Sequence, residues 1–264
     1  MFVSKKGFFE AKLVNVSPKV PLCLMEFPFF SINVNRKNIN VSEWYDENRK
    51  LQVRIKPTSN GQMTILDLDV LIFITSQLMA AKNDQIPVSK NIIFHANTFH
   101  EMTKNKGVNG PSQNKQLFLS LQRLSSTRIE TNIEVNGYIE NSGFNLISYN
   151  IVRNKSTKRM LHIEIKLSDW LFNSIAKKSV RTIENEYFKI KSPLLRRLYL
   201  LVDQHLYKSK VWTIGARKLH KKVGGKSEYK KFIYVLKNAG KVINIQFDIN
   251  EQKKFVFRRR YNCL

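Results

Sequence analysis

The chain has 264 residues, 42% of them hydrophobic, with a formal net charge of +25 and a pI of about 10.1, enough apolar material for one large or two medium domains. A charge this large repels itself and points to a polyanionic partner: DNA, RNA or an acidic membrane. The longest apolar run, residues 70–74, is far too short to span a bilayer, and residues 1–10 lack the apolar region and cleavage site of a signal peptide, so no membrane partner and a cytoplasmic location are expected.

Residues 1–20 are basic and weakly patterned, and a mobile segment is expected there. Residues 29–34 and 51–55 alternate apolar and polar side chains as strands do, so 1–56 reads as an N-terminal extension with short strands. Residues 57–61 form a turn. From Thr64 the period becomes helical. Thr64-Ile-Leu-Asp67 has the form of a capping box, with Asp in place of the usual Glu. Ile65, Leu68, Leu71, Ile72, Leu78 and Met79 then keep one apolar face. Helices are expected next over 96–104 and 112–125, separated by the break at 107–111. The second would bury Leu117, Leu121 and Leu124 and show Gln113, Gln116, Ser120 and Arg123 on its other side. Three alternating segments follow, at 129–135, 144–149 and 161–167, with reversals at 136–137 and 154–157. Three helices and an antiparallel hairpin sheet are the winged-helix order, giving a first domain over 57–176.

Ser168 caps a short helix through Trp170 and Leu171, and residues 177–183 read as the joint between domains. Ser192-Pro193 couples an N-cap with a proline at the first helical position. The helix it opens carries Leu194, Leu195, Leu198, Leu201 and Val202 as its core stripe. Leu219 and Val223 are the apolar side of the next helix. Gly224-Gly225 turns the chain, and Ser227 N-caps a helix whose Phe232, Val235, Leu236 and Ala239 face inward. Its opposite side carries Lys230, Tyr234, Lys237 and Lys241. Strands at 242–249 and 255–258, turning at 251–254, complete a second domain over 177–264. The expected fold is α+β: two tandem winged-helix domains with a small N-terminal β extension.

Charge is uneven between the halves. Residues 177–264 hold 23 Lys/Arg against 6 Asp/Glu, whereas residues 1–176 hold 22 against 14, so the C-terminal part is the stronger electrostatic footprint. A short turn between two amphipathic helices sets the second proud of the fold, where it can lie in a major groove. Lys226, Lys230, Lys231, Tyr234, Lys237 and Lys241 are the candidate contacts, with Lys253, Lys254 and Arg258 of the wing against the backbone or an adjacent minor groove. Lysines mostly position a protein on phosphate; fewer side chains read base edges. A solvated lysine face is the plainer reading of the stripe alone, and the element order and net charge weigh against it. In the first domain, the face of Gln113, Gln116 and Arg123 suits base edges or a protein interface equally, including a homodimer.

Catalytic chemistry finds little support. His95 and His100 lie five apart, with no His-x-His pair. Asp67 and Asp69 would point about 200° from one another on a helix and cannot share a metal. Gly224-Gly225-Lys226-Ser227 mimics only the end of a nucleotide-binding loop. Tyr199, Tyr207, Tyr229 and Tyr234 are candidate nucleophiles for a nickase, with no metal cluster in the sequence to accompany them. Cys23 and Cys263 make neither a disulfide framework nor a thiolate zinc site. Neither cofactor nor enzymatic activity is expected.

With these residues in view, the chain resembles the plasmid replication initiators of the replication initiator protein A family. The clearest match is residues 61–78, where a Gly, a Thr-Ile pair, two spaced aspartates and an apolar helix ending in Ser-Gln-Leu follow in order. Further matches are 121–131, Glu186-Tyr-Phe188 and 192–199; each is short, and the specificity lies in their sequence along the chain. The Lys- and Asn-heavy surface and the apolar run around 21–30 depart from the family. The resemblance implies a protein that binds double-stranded repeats in a plasmid origin and helps host replication proteins, an initiator and a helicase, open the duplex. A winged-helix repressor or autoregulator on an operator is the alternative that the residues leave open.

Overall fold

The computed structural model of the chain describes residues 6–34, 39–103, 111–134, 143–177, 179–224, 229–239, 245–249 and 254–259. In chain order the first part comprises β1 (Phe9–Glu10), β2 (Lys19–Pro21), α1 (Leu22–Glu26), β3 (Ser42–Asp46), β4 (Leu51–Lys56), α2 (Leu68–Asn83), β5 (Asn91–Phe94), α3 (Ala96–Thr103), α4 (Pro111–Ser126), β6 (Arg128–Thr131), β7 (Ile147–Arg153), β8 (Met160–Leu167) and α5 (Asp169–Ala176). After it come β9 (Val180–Thr182), a 3-10 turn (Asn185–Lys189), α6 (Pro193–Lys208), β10 (Val211–Gly215), α7 (Ala216–Lys222), α8 (Tyr229–Ala239), β11 (Ile245–Ile249) and β12 (Lys254–Arg259). The fold is mixed α+β.

Helix α2 is apolar nearly all round and therefore central rather than amphipathic. Every residue from Leu68 to Met79 except the half-exposed Asp69 is buried. The Phe73 ring meets Phe94 of β5 and Phe99 of α3, with centroids 5.1 and 5.7 Å apart. Its capping box is half formed. The Thr64 amide donates to Asp67 Oδ2 at 2.7 Å, but the Thr64 hydroxyl donates to the same oxygen at 3.2 Å instead of accepting from the helix. The serine caps expected at 168 and 192 are both present, accepting from the amides of Leu171 and Leu195.

The strands form sheets in the orders β1-β5-β8-β7, β3-β4-β6, β2-β9 and β10-β12-β11. Apart from β6, which lies between α4 and β7, one element order occurs twice: α2, β5, α3, α4, β7, β8 and then α6, β10, α7, α8, β11, β12. In both, the strand after the first helix pairs antiparallel with the second arm of the later hairpin, giving β5-β8-β7 and β10-β12-β11.

Several expectations change. Residues 29–34 are not a strand: Ser31 makes only an isolated bridge to Thr64, and Phe29 and Phe30 are both buried in the core without ladder pairing. The partner of β4 is instead β3, in the register Trp44 to Val53. The segment expected as a strand over 129–135 pairs as far as Thr131 with β4, and meets the segment expected at 144–149 through the isolated bridge of Ile129 to Phe144. Residues 6–20 are structured rather than mobile. Phe9 pairs with Ile92; the Gln77 amide both donates to and accepts from the Leu13 backbone, and Ser76 Oγ accepts from the Lys19 amide. Polar side chains on the otherwise apolar α2 thus satisfy a backbone that the sequence pattern left without partners. The N-terminal segment also supplies Val20, Leu24, Met25 and Phe27 to the core, and β2 pairs with β9.

Candidate nucleic-acid interface

Helices α7 and α8 pack through Leu219, Val223, Phe232 and Leu236, all buried, and the His220 ring lies 4.8 Å from Phe232. Gly224 ends α7 with φ +73, a left-handed conformation that glycine adopts without Cβ strain. Outward from this pair point Arg217, Lys218 and Lys221 of α7 and Lys230 and Tyr234 of α8, Tyr234 being 71% exposed. Lys231 and Lys237 lie on α8 with side chains outside the described set; Lys226, Lys241 and Lys253 lie outside the described residues altogether. On the hairpin, Lys254 and Arg258 are exposed, and Arg258 reaches Asp248 of β11 at 2.8 Å, a surface pair of small energy.

The position of α7 is set by one buried guanidinium. Arg197 of α6, 1% exposed, donates to Met25 O and Glu26 O at the end of α1, at 2.6 and 2.9 Å, and to Lys222 O at the end of α7, at 3.3 Å. Terminal helix carbonyls lack intrahelical donors and carry partial negative charge, so two helix ends converge on a cation. Burial pushes its pKa down to about 10. The other side of the unit is fixed by stacking: His205 of α6 lies on Trp212 of β10 at 4.1 Å, and Trp212 on Phe257 of β12 at 5.3 Å.

On α4, Gln113 is half-buried and Gln116 exposed. Arg123 does not join them on an outward face. It is 6% exposed and donates to both oxygens of the wholly buried Asp67, at 2.8 and 2.6 Å, while the Ser120 hydroxyl donates to Oδ1 at 2.6 Å. Residues 120 and 123 flank the apolar stripe of Leu117, Leu121 and Leu124 closely enough to be carried under α4 with it, which removes Arg123 from any base-reading role. Asp69 faces elsewhere and pairs with Arg196 of α6 at 2.6 Å. Burial opposes the Arg196 charge, but Asp69 and Tyr187 outweigh it and raise its pKa. Arg196 also lies 5.0 Å from the Tyr187 ring.

Among the other candidates, Tyr199 is 7% exposed, accepts from the Glu184 amide at 3.0 Å and is pushed up to about 12 by burial, poor conditions for a nucleophile. His100 is buried against Asn114 Oδ1 at 3.0 Å. Burial likewise holds the Cys23 thiol at about 12. Among the described residues no three His, Cys, Asp or Glu side chains are placed to hold a metal ion, and no described helix is long and apolar enough to cross a membrane.

Residues 21–243 match the family model described as replication initiator protein A. The chain belongs to the replication initiator protein A family. It is 33% identical over 245 residues to a provisionally named replication protein of Wigglesworthia glossinidia brevipalpis, covering 91% of this chain and 87% of that one. Its fold is that of domains 2 and 3 of RctB. One crystal structure of that protein aligns with a TM-score of 0.66 over 91% of this chain and 98% of the other, at 12% identity; a second aligns at 0.58 over 88% and 95%, at 11%. The four segments that carry the resemblance to the replication initiator protein A family meet in space. Asp67 of the first reaches Arg123 of the second, and Asp69 of the first reaches Arg196 of the last, against Tyr187 of the third. The segments that carry the resemblance thus meet at internal joints of the fold.

Proposed function

We propose that this replication initiator protein A family member binds repeats in a plasmid origin as double-stranded DNA and promotes opening of the duplex with host initiator and helicase proteins, without catalysis of its own. In this reading the repeated helix–strand–helix–helix–hairpin order makes two tandem winged-helix modules, 57–176 and 177–264. Helix α8 of the second enters a major groove, and β11–β12 lies beside it as the wing. The observation that carries the reading is the α7–α8 unit: four buried apolar side chains and a buried guanidinium hold it rigid, while Lys230 and Tyr234 project from it. Rigid presentation lowers the ordering cost of binding, and a net charge of +25 supplies long-range attraction.

Lys226, Lys230, Lys231, Tyr234, Lys237 and Lys241 are the proposed groove contacts. Lys253, Lys254 and Arg258 are the proposed wing contacts, and Gln113 and Gln116 of α4 bind either bases or a second copy. Footprinting the purified protein on DNA flanking its own gene tests this directly. Protection of tandem direct repeats is expected; uniform protection, or a single protected palindrome, overturns the origin reading. Incubation with supercoiled DNA carrying those repeats and a divalent cation is expected to leave the DNA uncut, and a relaxed or covalently tagged product would refute the non-catalytic assignment.

A further inference from the structure

Several cations in the N-terminal part of the chain are matched by acids. Arg49, Arg54, Lys56, Lys90 and Arg128 each lie within 4 Å of a carboxylate. The β7–β8 turn differs from these in concentrating its cations without acids. Arg153, Lys155, Lys158 and Arg159 fall within seven residues that contain no acid, all four are exposed, and among the described residues none makes an ion pair. Crowding four like charges on one turn is unfavourable unless an anion is present to relieve it.

The turn is also held stiff. Asn154 Oδ1 accepts from the amides of Ser156 and Thr157 at 2.9 Å each. The Asn154 amide donates to Arg159 O at 2.8 Å, and the Lys158 amide to Asn154 O at 2.9 Å. Lys158 adopts φ +57, a left-handed conformation for which Gly or Asn is the unstrained choice. A lysine there keeps a charge at a position where local backbone preference argues against one. Arg153 ties the turn to α4: its guanidinium donates to Lys158 O at 3.3 Å and lies 5.7 Å from the Phe118 ring. The cations therefore stand at a fixed place beside α4, next to the exposed Lys115, one turn before Phe118 on the same helix face.

We propose that the β7–β8 turn is a phosphate-binding site for duplex DNA, in which Lys155, Lys158 and Arg159 contact the backbone and Asn154 and Arg153 hold the turn in place. The site rests on the reading of the protein as a double-stranded DNA binder and adds a second grip to that of the C-terminal unit. Phosphate contacts carry no sequence information; they fix register and orientation. This grip therefore acts on any duplex, and its signature is salt dependence rather than base preference.

The test uses the full-length protein and a 30-base-pair duplex of arbitrary sequence, with affinity measured between about 50 and 200 mM salt. Three lost phosphate contacts lower the log–log salt slope by about 2.7, so the variant loses about 40-fold less affinity than wild type over that range. The variant is Lys155→Ala with Lys158→Asn and Arg159→Ala, the asparagine keeping the left-handed backbone. A control removes the same charge elsewhere: Lys12→Ala, Lys50→Asn and Lys191→Ala. A charge-preserving pair, Lys155→Arg with Arg159→Lys, is expected to keep the wild-type slope and shows that the turn tolerates substitution. A lowered slope in the turn variant alone supports the site. A turn variant with the wild-type slope, or one no different from the control, overturns it and leaves the DNA-binding reading standing. A shallow slope in the wild type itself instead refutes the DNA-binding reading, and this site with it.

Discussion

Replacing Arg123 by methionine separates a joint from a reading residue. The guanidinium makes two charge-assisted hydrogen bonds to a carboxylate that is 0% exposed. Removing it leaves Asp67 buried with only the Thr64 amide, the Thr64 hydroxyl and the Ser120 hydroxyl as donors. Breaking a buried pair from one side costs about 3–5 kcal/mol, because the surviving charge is left uncompensated. At about 2–4 °C per kcal/mol for a chain of this size, Arg123→Met is expected to melt about 6–20 °C below wild type. Asp67→Leu is expected to cost at least as much, since it strands the arginine and also empties the half capping box. The double variant removes both charges and is expected to be more stable than either single one, losing only about 1–2 kcal/mol for the cap and hydroxyl partners left behind. Thermal unfolding of the four proteins measures this cycle, with duplex-DNA affinity taken from the folded fraction. Single variants that melt like wild type while Arg123→Met loses a salt-dependent DNA contact would refute the burial argument and return Arg123 to the interface.

Lys230→Ala with Lys237→Ala is expected to lower the salt slope of duplex binding by about 2 with the melting temperature unchanged; a wild-type slope would remove α8 from the contact. Arg197→Met is expected to destabilise the chain and, in hydrogen exchange, to expose the last turn of α7 before the α2 amides, because the Lys222, Met25 and Glu26 carbonyls lose their common donor. Equal protection of α7 in both proteins would show that the guanidinium does not position it. A smaller effect concerns acid. Burial, the largest single effect, opposes the charge, but hydrogen bonds from the Arg49 side chain and backbone, together with the Arg49 charge, outweigh it and hold the Asp46 carboxyl below its ordinary range. Its folded pKa is depressed, so its stabilisation is whole above the unfolded value of about 4 and drains as pH falls through the folded one. Asp46→Asn should flatten the acid limb of stability against pH; superimposable curves would count against that linkage.

Local signals were legible in the sequence because each is closed within a few residues. Ser192-Pro193 and Ser168 specify helix starts by the reach of a hydroxyl to an amide three residues on. Apolar spacing likewise located α2, α3, α4, α6 and α8, and the hairpin of β11 and β12. The alternation of Ser42 to Asp46 marks β3 locally as well, whereas the apolar pair Phe29 and Phe30 is buried outside any strand. Exposure of Lys230 and Tyr234 followed from helical phase alone.

Whether a polar side chain faces water or another part of the chain is a different kind of question. Arg123 and Asp67 are 56 positions apart, Arg196 and Asp69 127, and Arg197 and Met25 172. No local spacing encodes such a meeting, and a buried arginine has the same letters around it as one on a solvated helix face. The amino-acid order thus determined where helices begin, which stripes are apolar and how much positive charge the chain carries. Only the tertiary structure decided which cations are consumed in holding helices together and which, as at the β7–β8 turn, are left facing solvent. Pairing through space depends on how elements pack, and packing brings together residues that the chain keeps far apart.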